Sequence, residues 1–235
     1  MIAGTTESRE VIEQLLRKGE AVIATTATEL GKEMLLQYPI EIRERRLDEQ
    51  GFLQLFEEIN PKEVIDASHP FAVIVTKTVQ NACQKKNLPY KRVERNIESY
   101  QYDKIYTVKD TKEAIFLLNE VFGTEKILLT TGSNTLADYV TKVNNGKNRI
   151  YARVLDHEYA REICKTIPIE KGHIIYQNPP FSKEDTRSLL LKYECQVLVT
   201  KDSGKAGGVD QKIEVARQMN LPVILIERPK ERQGK

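Results

Sequence analysis

The sequence predicts an α/β protein of two Rossmann-like domains, each with a parallel sheet, and a cleft between them. Three observations carry this. Short apolar, β-branched runs alternate with helix-periodic stretches from one end of the chain to the other. Two of those runs break off abruptly into polar residues: Val64-Ile65-Asp66-Ala67-Ser68-His69-Pro70-Phe71-Ala72 and Val197-Leu198-Val199-Thr200-Lys201-Asp202-Ser203-Gly204. The alternation also fades once, between residues 95 and 106. Repeated βαβ units imply right-handed crossovers with helices on both sheet faces.

In chain order, a helix is expected over residues 7–18, closed by Gly19, then a strand over 20–25. A helix over 29–38 has Thr28 as its cap, and a strand over 40–45 follows. The helix over 48–59 is stopped by Asn60-Pro61. Residues 64–67 form a strand, 71–87 a long helix with apolar Val75, Val79, Ala82 and Cys83, and 90–93 the next strand. The polar stretch 95–106 is a linker, which sets domains at 1–95 and 96–235. The second series has helices over 112–122, 134–143, 158–166, 183–193 and 210–219. Its strands are 126–130, 149–155, 173–177, 196–200 and 223–227, and the charged tail 230–235 frays.

Composition narrows the function classes. Hydrophobic residues at 40% and charged residues at 30% are ordinary for a soluble protein of 235 residues. No apolar run approaches the ~20 residues of a membrane span, and no basic-then-apolar leader opens the chain. Cys83, Cys164 and Cys195 are odd in number and widely spaced, which points to a reducing cytoplasm. Singly scattered Cys and His leave no metal-ligand spacing. A net charge of +2 with dispersed basic residues argues against nucleic acid. The oligomeric state is left open.

The candidate site residues cluster where predicted strands end, the edge at which open α/β sheets bind ligands. Asp66, Ser68 and His69 crowd one such end, and Lys201, Asp202 and Ser203 another. A second reading has Asp66 and Ser68 capping the next helix, with His69 orienting the turn and Pro70 opening it. Gly4-Thr5-Thr6 precedes the first helix, where free N–H groups and the helix dipole suit a pyrophosphate. There Gly4 admits backbone approach, and Thr5, Thr6 and Ser8 offer hydroxyls; the threonines also read as simple caps. Only one glycine of the usual dinucleotide loop is present, so the signal is weak alone. The next strand ends without the acid that grips an NAD ribose. Thr25, Thr26 and Thr28, with Lys32 nearby, suit a 2′-phosphate, while Glu29 argues the other way. The balance tips slightly to NADPH, with NADH open. The glycines of 204–208 lack the triphosphate-loop order and read as a flap.

Both strand-end segments resemble the precorrin-6A reductase family of corrin biosynthesis, in that family's order and spacing. So do Ala3-Gly4-Thr5-Thr6-Glu7-Ser8-Arg9-Glu10, Leu88-Pro89-Tyr90 with Arg92, Glu94 and Arg95, Thr130-Thr131-Gly132-Ser133, Asn178-Pro179-Pro180-Phe181-Ser182 and Leu221-Pro222-Val223. The resemblance covers essentially the whole chain. It implies reduction of a tetrapyrrole double bond, in precorrin-6A or its cobalt form, by a reduced nicotinamide cofactor. The family uses the same reduced glycine loop, and the residues placed at the cofactor are Gly4, Thr5, Thr6, Ser8, Thr25, Thr28, His69 and Pro70. A macrocycle rich in carboxylates calls for Arg and Lys forks, and Arg92, Arg95, Arg153 and Lys201, with Asp202 and Ser203, are placed there. Ser68 and Asp156 are the polar groups expected nearest the reacting carbon, and Asp66 is expected to brace the turn with His69. One departure stands out: only Met1, Ile2 and Ala3 precede Gly4, where a strand of about five residues is expected. Either the protein begins upstream or this strand is a stub.

Two other readings use the same residues. One is a nicotinamide- or nucleotide-sensing module without turnover, since fold does not fix function. The other is a two-domain tetrapyrrole cyclase of the uroporphyrinogen-III synthase kind, against which the loop at 4–9 speaks.

Overall fold

A computed structural model describes residues 1–93, 100–204 and 207–229, and the chain forms two compact units, Met1–Asn96 and Ile97–Lys235. In the first unit the elements are α1 (Thr6–Arg17), β1 (Ile23–Thr26), α2 (Glu29–Glu33), β2 (Glu41–Glu44), α3 (Glu49–Ile59), β3 (Val64–Asp66), α4 (Val73–Lys86) and β4 (Tyr90–Arg92). The strands β1 and β2 pair in parallel, as do β3 and β4. Ile2 joins the two pairs, bridging Thr25 on one side and Asp66 on the other. Four backbone hydrogen bonds make the joint: Ile2 to Ile65, Ala67 to Ile2, Ala3 to Thr25 and Thr25 to Met1, at 2.8–2.9 Å. The order is therefore β2, β1, Ile2, β3, β4, and the chain reverses its direction of winding between Ile2 and β3.

Burial explains why so short a segment holds its place. Ile2 packs with Phe52, Phe56, Val64 and Val79 in one apolar cluster, while Ile12, Ala24 and Leu35 form another. The helix expected over 29–38 ends at Glu33 instead. Its continuation runs through i→i+3 bonds at Leu35, Leu36 and Tyr38, the tighter geometry of a helix end. Pro39 disfavours the α conformation at Tyr38, so the turn does not continue beyond it.

The second unit contains β5 (Ile105–Val108), α5 (Thr111–Glu120), β6 (Ile127–Leu129), a 3-10 turn at Ser133–Thr135, α6 (Leu136–Lys142), α7 (Gly146–Arg149) and β7 (Ile150–Val154). It continues with α8 (Glu158–Lys165), β8 (Ile174–Tyr176), α9 (Lys183–Lys192), β9 (Val197–Lys201), α10 (Val209–Gln218) and β10 (Val223–Ile226). Its six strands form one parallel sheet in the order β5-β10-β9-β6-β7-β8. Every residue of β6 and β10, and Val197–Thr200 of β9, is buried. This is the continuous apolar run of a sheet covered on both faces. Winding reverses between β6 and β9, so a crevice opens at their carboxyl ends.

Three elements depart from the sequence reading. The strand β5 begins inside the stretch read as a linker. The helix expected over 134–143 divides into the 3-10 turn and α6, and α7 was not expected. Gly146 explains the tight α6–α7 corner, since a Cβ there would stand 2.6 Å from the Val140 carbonyl oxygen. Arg149, expected to start a strand, closes α7 instead. Its guanidinium donates to the Glu125 carbonyl at 3.0 Å, the Asn144 carbonyl at 2.7 Å and the Phe122 carbonyl.

Candidate functional site

In the first unit the loop after Ile2 opens α1 at the point where winding reverses. Thr5 is the N-cap and forms a capping box with Ser8. Its hydroxyl accepts from Ser8 N–H at 3.2 Å and donates to the Ala67 carbonyl at 2.9 Å, tying the loop to the end of β3. Ser8 departs from its expected role as an outward donor. Fully buried, it accepts from the Gly4 and Thr5 amides at 3.2 and 3.1 Å and donates to the Thr5 carbonyl at 2.7 Å. It shapes the loop rather than facing a ligand. Thr6 accepts from the Arg9 guanidinium at 3.1 Å.

Gly4 has φ of +115°, and a Cβ built on it would meet nothing within 4 Å. The conformation favours glycine, and the open side admits a group against the amino end of a twelve-residue helix. These residues fit a dinucleotide pyrophosphate. The end of β1 fits the expectation less well. Thr25 is buried, with its amide and hydroxyl both directed at the Met1 carbonyl, at 2.8 and 3.4 Å. Its side chain is thus engaged with the sheet, a correction to its reading as a ribose-phosphate contact. Thr28 caps α2 by accepting from Gly31 N–H at 3.1 Å.

The end of β3 carries a buried ionic network. Asp66 is fully buried. One carboxylate oxygen accepts from Ser68 N–H at 2.9 Å. The other accepts from Thr76 Oγ1 at 3.0 Å and Tyr90 OH at 2.9 Å, and pairs with Arg92 Nη1 at 2.6 Å. Arg92 Nη1 also donates to Ser68 Oγ at 2.8 Å. Arg92 therefore differs from the open carboxylate fork expected of it: its guanidinium holds Asp66 and fixes Ser68. Asp66 braces the turn through Ser68, Thr76, Tyr90 and Arg92, whereas His69 is exposed and accepts from Phe71 N–H at 3.2 Å. Pro70 lies in the turn before α4, which opens at Val73 behind Ala72 without a side-chain cap. The capping reading of Asp66 and Ser68 does not hold. Arg95 lies outside the described residues.

The second unit gathers Lys201, Asp202 and Ser203 at the end of β9, beside its own reversal of winding. Burial lowers the Lys201 ammonium pKa. Asp202 accepts from Gly204 N–H at 3.3 Å and Tyr100 OH at 3.4 Å, and pairs with Arg228 at 3.3 Å. Arg153 sits inside β7 with only 4% of its surface exposed, over the Phe181 ring at 4.2 Å. Its Nη1 reaches Thr186 Oγ1 at 3.4 Å, and burial pushes the guanidinium down to about 10. Asp156, just past β7, takes both prongs of Arg161 at 2.6 and 2.8 Å, which hold its carboxyl below the usual range. Asn178 fixes the Asp156 backbone, accepting from its N–H at 3.0 Å and donating to its carbonyl at 3.3 Å.

Asn178, Phe181, Arg228 and Lys212 had no assigned role in the sequence reading. Lys212 is buried, donates to the Gly207 carbonyl at 2.9 Å, and is pushed down to about 7, chiefly by burial. Its signal was legible: Val209, Lys212, Ile213 and Ala216 fall on one helical face, where a lysine is out of place. Among the described residues no group of His, Cys, Asp and Glu could hold a metal, and no helix is long and apolar enough to cross a membrane.

The family model described as precorrin-6x reductase CbiJ/CobK matches residues 1–235. A cobalt-precorrin-6A reductase of Priestia megaterium is 34% identical over 235 residues, covering 100% of this chain and 91% of that protein. One from Methanocaldococcus jannaschii is 31% identical, over 98% of this chain and 90% of its own length. A solved structure described as CobK precorrin-6A reductase shares the fold with a TM-score of 0.75 at 22% identity. It covers 97% of this chain and 87% of that one.

Proposed function

Since the chain belongs to the precorrin-6x reductase CbiJ/CobK family, we propose that it reduces a carbon–carbon double bond of precorrin-6A, or its cobalt form, in cobalamin biosynthesis. The reductant is NADPH or NADH, the site of work the cytoplasm. The observation that carries the cofactor reading is Gly4, whose open side stands at the start of α1 beside the reversal of winding. When bound there, a reduced nicotinamide supplies hydride. Gly4, Thr5 and Thr6 hold its pyrophosphate, with Ser8 shaping the loop, and Thr28, His69 and Pro70 lie toward the rest of the cofactor.

The remaining residues position and hold the acceptor. Ser68, fixed by Arg92, orients the acceptor and its hydroxyl meets the negative charge that hydride builds there; Asp156, an anion held by Arg161 and Asn178, orients the acceptor, and a proton from solvent completes the reduction. Arg95, Arg153 and Lys201 take its carboxylates, and Asp202 and Ser203 order the turn that carries Lys201. On this reading residues 1–95 form the cofactor domain and 96–235 the domain that completes the substrate site.

Fluorescence titration with NADPH and NADH tests the cofactor. Gly4→Val should weaken binding more than tenfold, about 1.4 kcal/mol; a folded variant with unchanged affinity refutes the loop. With precorrin-6A as acceptor, Arg95→Ala and Lys201→Ala should each raise KM roughly 10-fold. Ser68→Ala and Asp156→Asn should instead lower kcat. Full kcat in both would remove that pair from the reaction.

A further inference from the structure

Buried cations need partners, because moving a charge out of water costs far more than a neutral group. The second unit holds two that lack one. Arg153 is 4% and Lys212 7% exposed, and among the described residues neither makes an ion pair with any carboxylate. They act on each other as well: Arg153 is the charge that, after burial, most lowers the Lys212 ammonium. Their acidic neighbours are Asp185 for Arg153 and Asp210 for Lys212. Asp185 is held by Ser182, whose N–H and hydroxyl donate to it at 2.7 and 2.8 Å. Asp210 keeps a buried oxygen without a partner.

The hydrogen-bonding capacity of the pair is mostly unused. Arg153 makes one long contact, to Thr186, and lays its face on Phe181. Lys212 makes one bond, to Gly207. Gly208 caps the ten-residue α10 at φ +66°, and a Cβ there would meet nothing within 4 Å. A helix start lends partial positive charge to the same end.

We propose that Arg153 and Lys212 form a receiving site for one carboxylate side chain of the macrocycle, with Lys212 a substrate-binding residue in its own right. The inference rests on the reductase reading above and deepens it. A carboxylate supplies what the pair lacks: a charge partner for both, and acceptors for a guanidinium fork and an ammonium at once. It would also draw a proton onto Lys212, because an anion beside the amine favours its charged form.

The test compares the whole protein with its Lys212→Met form, which removes the charge and keeps the length. Affinity for precorrin-6A should fall roughly 10-fold while that for NADPH is unchanged. Calorimetry at about pH 8 in two buffers of different ionisation enthalpy should show proton uptake on precorrin-6A binding, lost in the variant. Should Lys212→Met not fold, Lys212→Gln carries the same comparison. Unchanged affinity and unchanged uptake overturn the proposal. Uptake and affinity loss that follow NADPH instead overturn it too, and give the pair to a cofactor phosphate. Failure of the wild-type protein to bind precorrin-6A defeats the reductase reading, and this inference with it.

Discussion

The two units bury charge in opposite ways. In the first, Asp66 is fully buried and every oxygen is answered, by Ser68, Thr76, Tyr90 and Arg92. In the second, Arg153 and Lys212 are also buried, and their hydrogen bonds reach only a threonine hydroxyl and a carbonyl, with Phe181 under the guanidinium. A satisfied buried network fixes local geometry, whereas unanswered cations are poised for an anion from outside. The comparison separates a scaffold from a receptor: the Asp66 cluster holds Ser68 still, and the Arg153–Lys212 pair awaits a ligand.

The largest expected effect lies on the scaffold side. Asp66→Ala removes the carboxylate that Arg92, Thr76, Tyr90 and the Ser68 amide share. Breaking a buried pair from one side costs about 3–5 kcal/mol, so urea unfolding of the first unit should move to clearly lower concentration. A midpoint within error of wild type would mean that the network is not a scaffold, and the comparison would fall.

The fold was legible wherever burial wrote a strong pattern. The strands β3, β6, β9 and β10 are buried on both faces, and their apolar runs announced them. By contrast β5, with its pattern of half-buried, exposed, exposed and buried residues, looks like linker until β10 pairs with it. Local propensity misled at residues 34–38, where the chain tightens into i→i+3 bonds after Glu33. The strand ends were legible as places, their partners less so. Nothing in the spacing of Asp66 and Arg92 says that they meet, since β3 and β4 become neighbours only through a crossover. Nor does position distinguish Ser8, fully buried, from Thr6, half-buried against Arg9.

A middle-sized effect probes the receptor side through pH. The Lys212 pKa is depressed in the folded chain, to about 7, so the unfolded chain binds more protons above that value. The sign is that of a penalty on the charged form. The Lys212 contribution to stability should be most favourable above the ordinary lysine range and fall as pH drops toward 7, by up to about 1.4 kcal/mol per pH unit. Lys212→Met should flatten that slope and leave stability near pH 7 equal or higher. A slope unaffected by the substitution would show that the ammonium is solvated and paired after all.

The smallest effect on stability is expected at Arg161, and it divides structure from function most finely. Arg161 holds both oxygens of Asp156 and lies over the Tyr176 ring at 4.3 Å, yet both members of the pair are half-exposed. Exposed pairs contribute little to folding, so Arg161→Ala should leave the melting temperature nearly unchanged. It should nonetheless free the Asp156 carboxyl, whose pKa would rise toward the ordinary range once its strongest partner is gone. If Asp156 orients the acceptor, kcat should fall and its acid limb should move to higher pH, while KM for precorrin-6A stays close to wild type. Arg161→Lys, keeping one charge without the fork, should recover part of the shift. A kcat and pH profile identical to wild type in a stable Arg161→Ala protein would place Asp156, like Asp66, among the residues that build the fold.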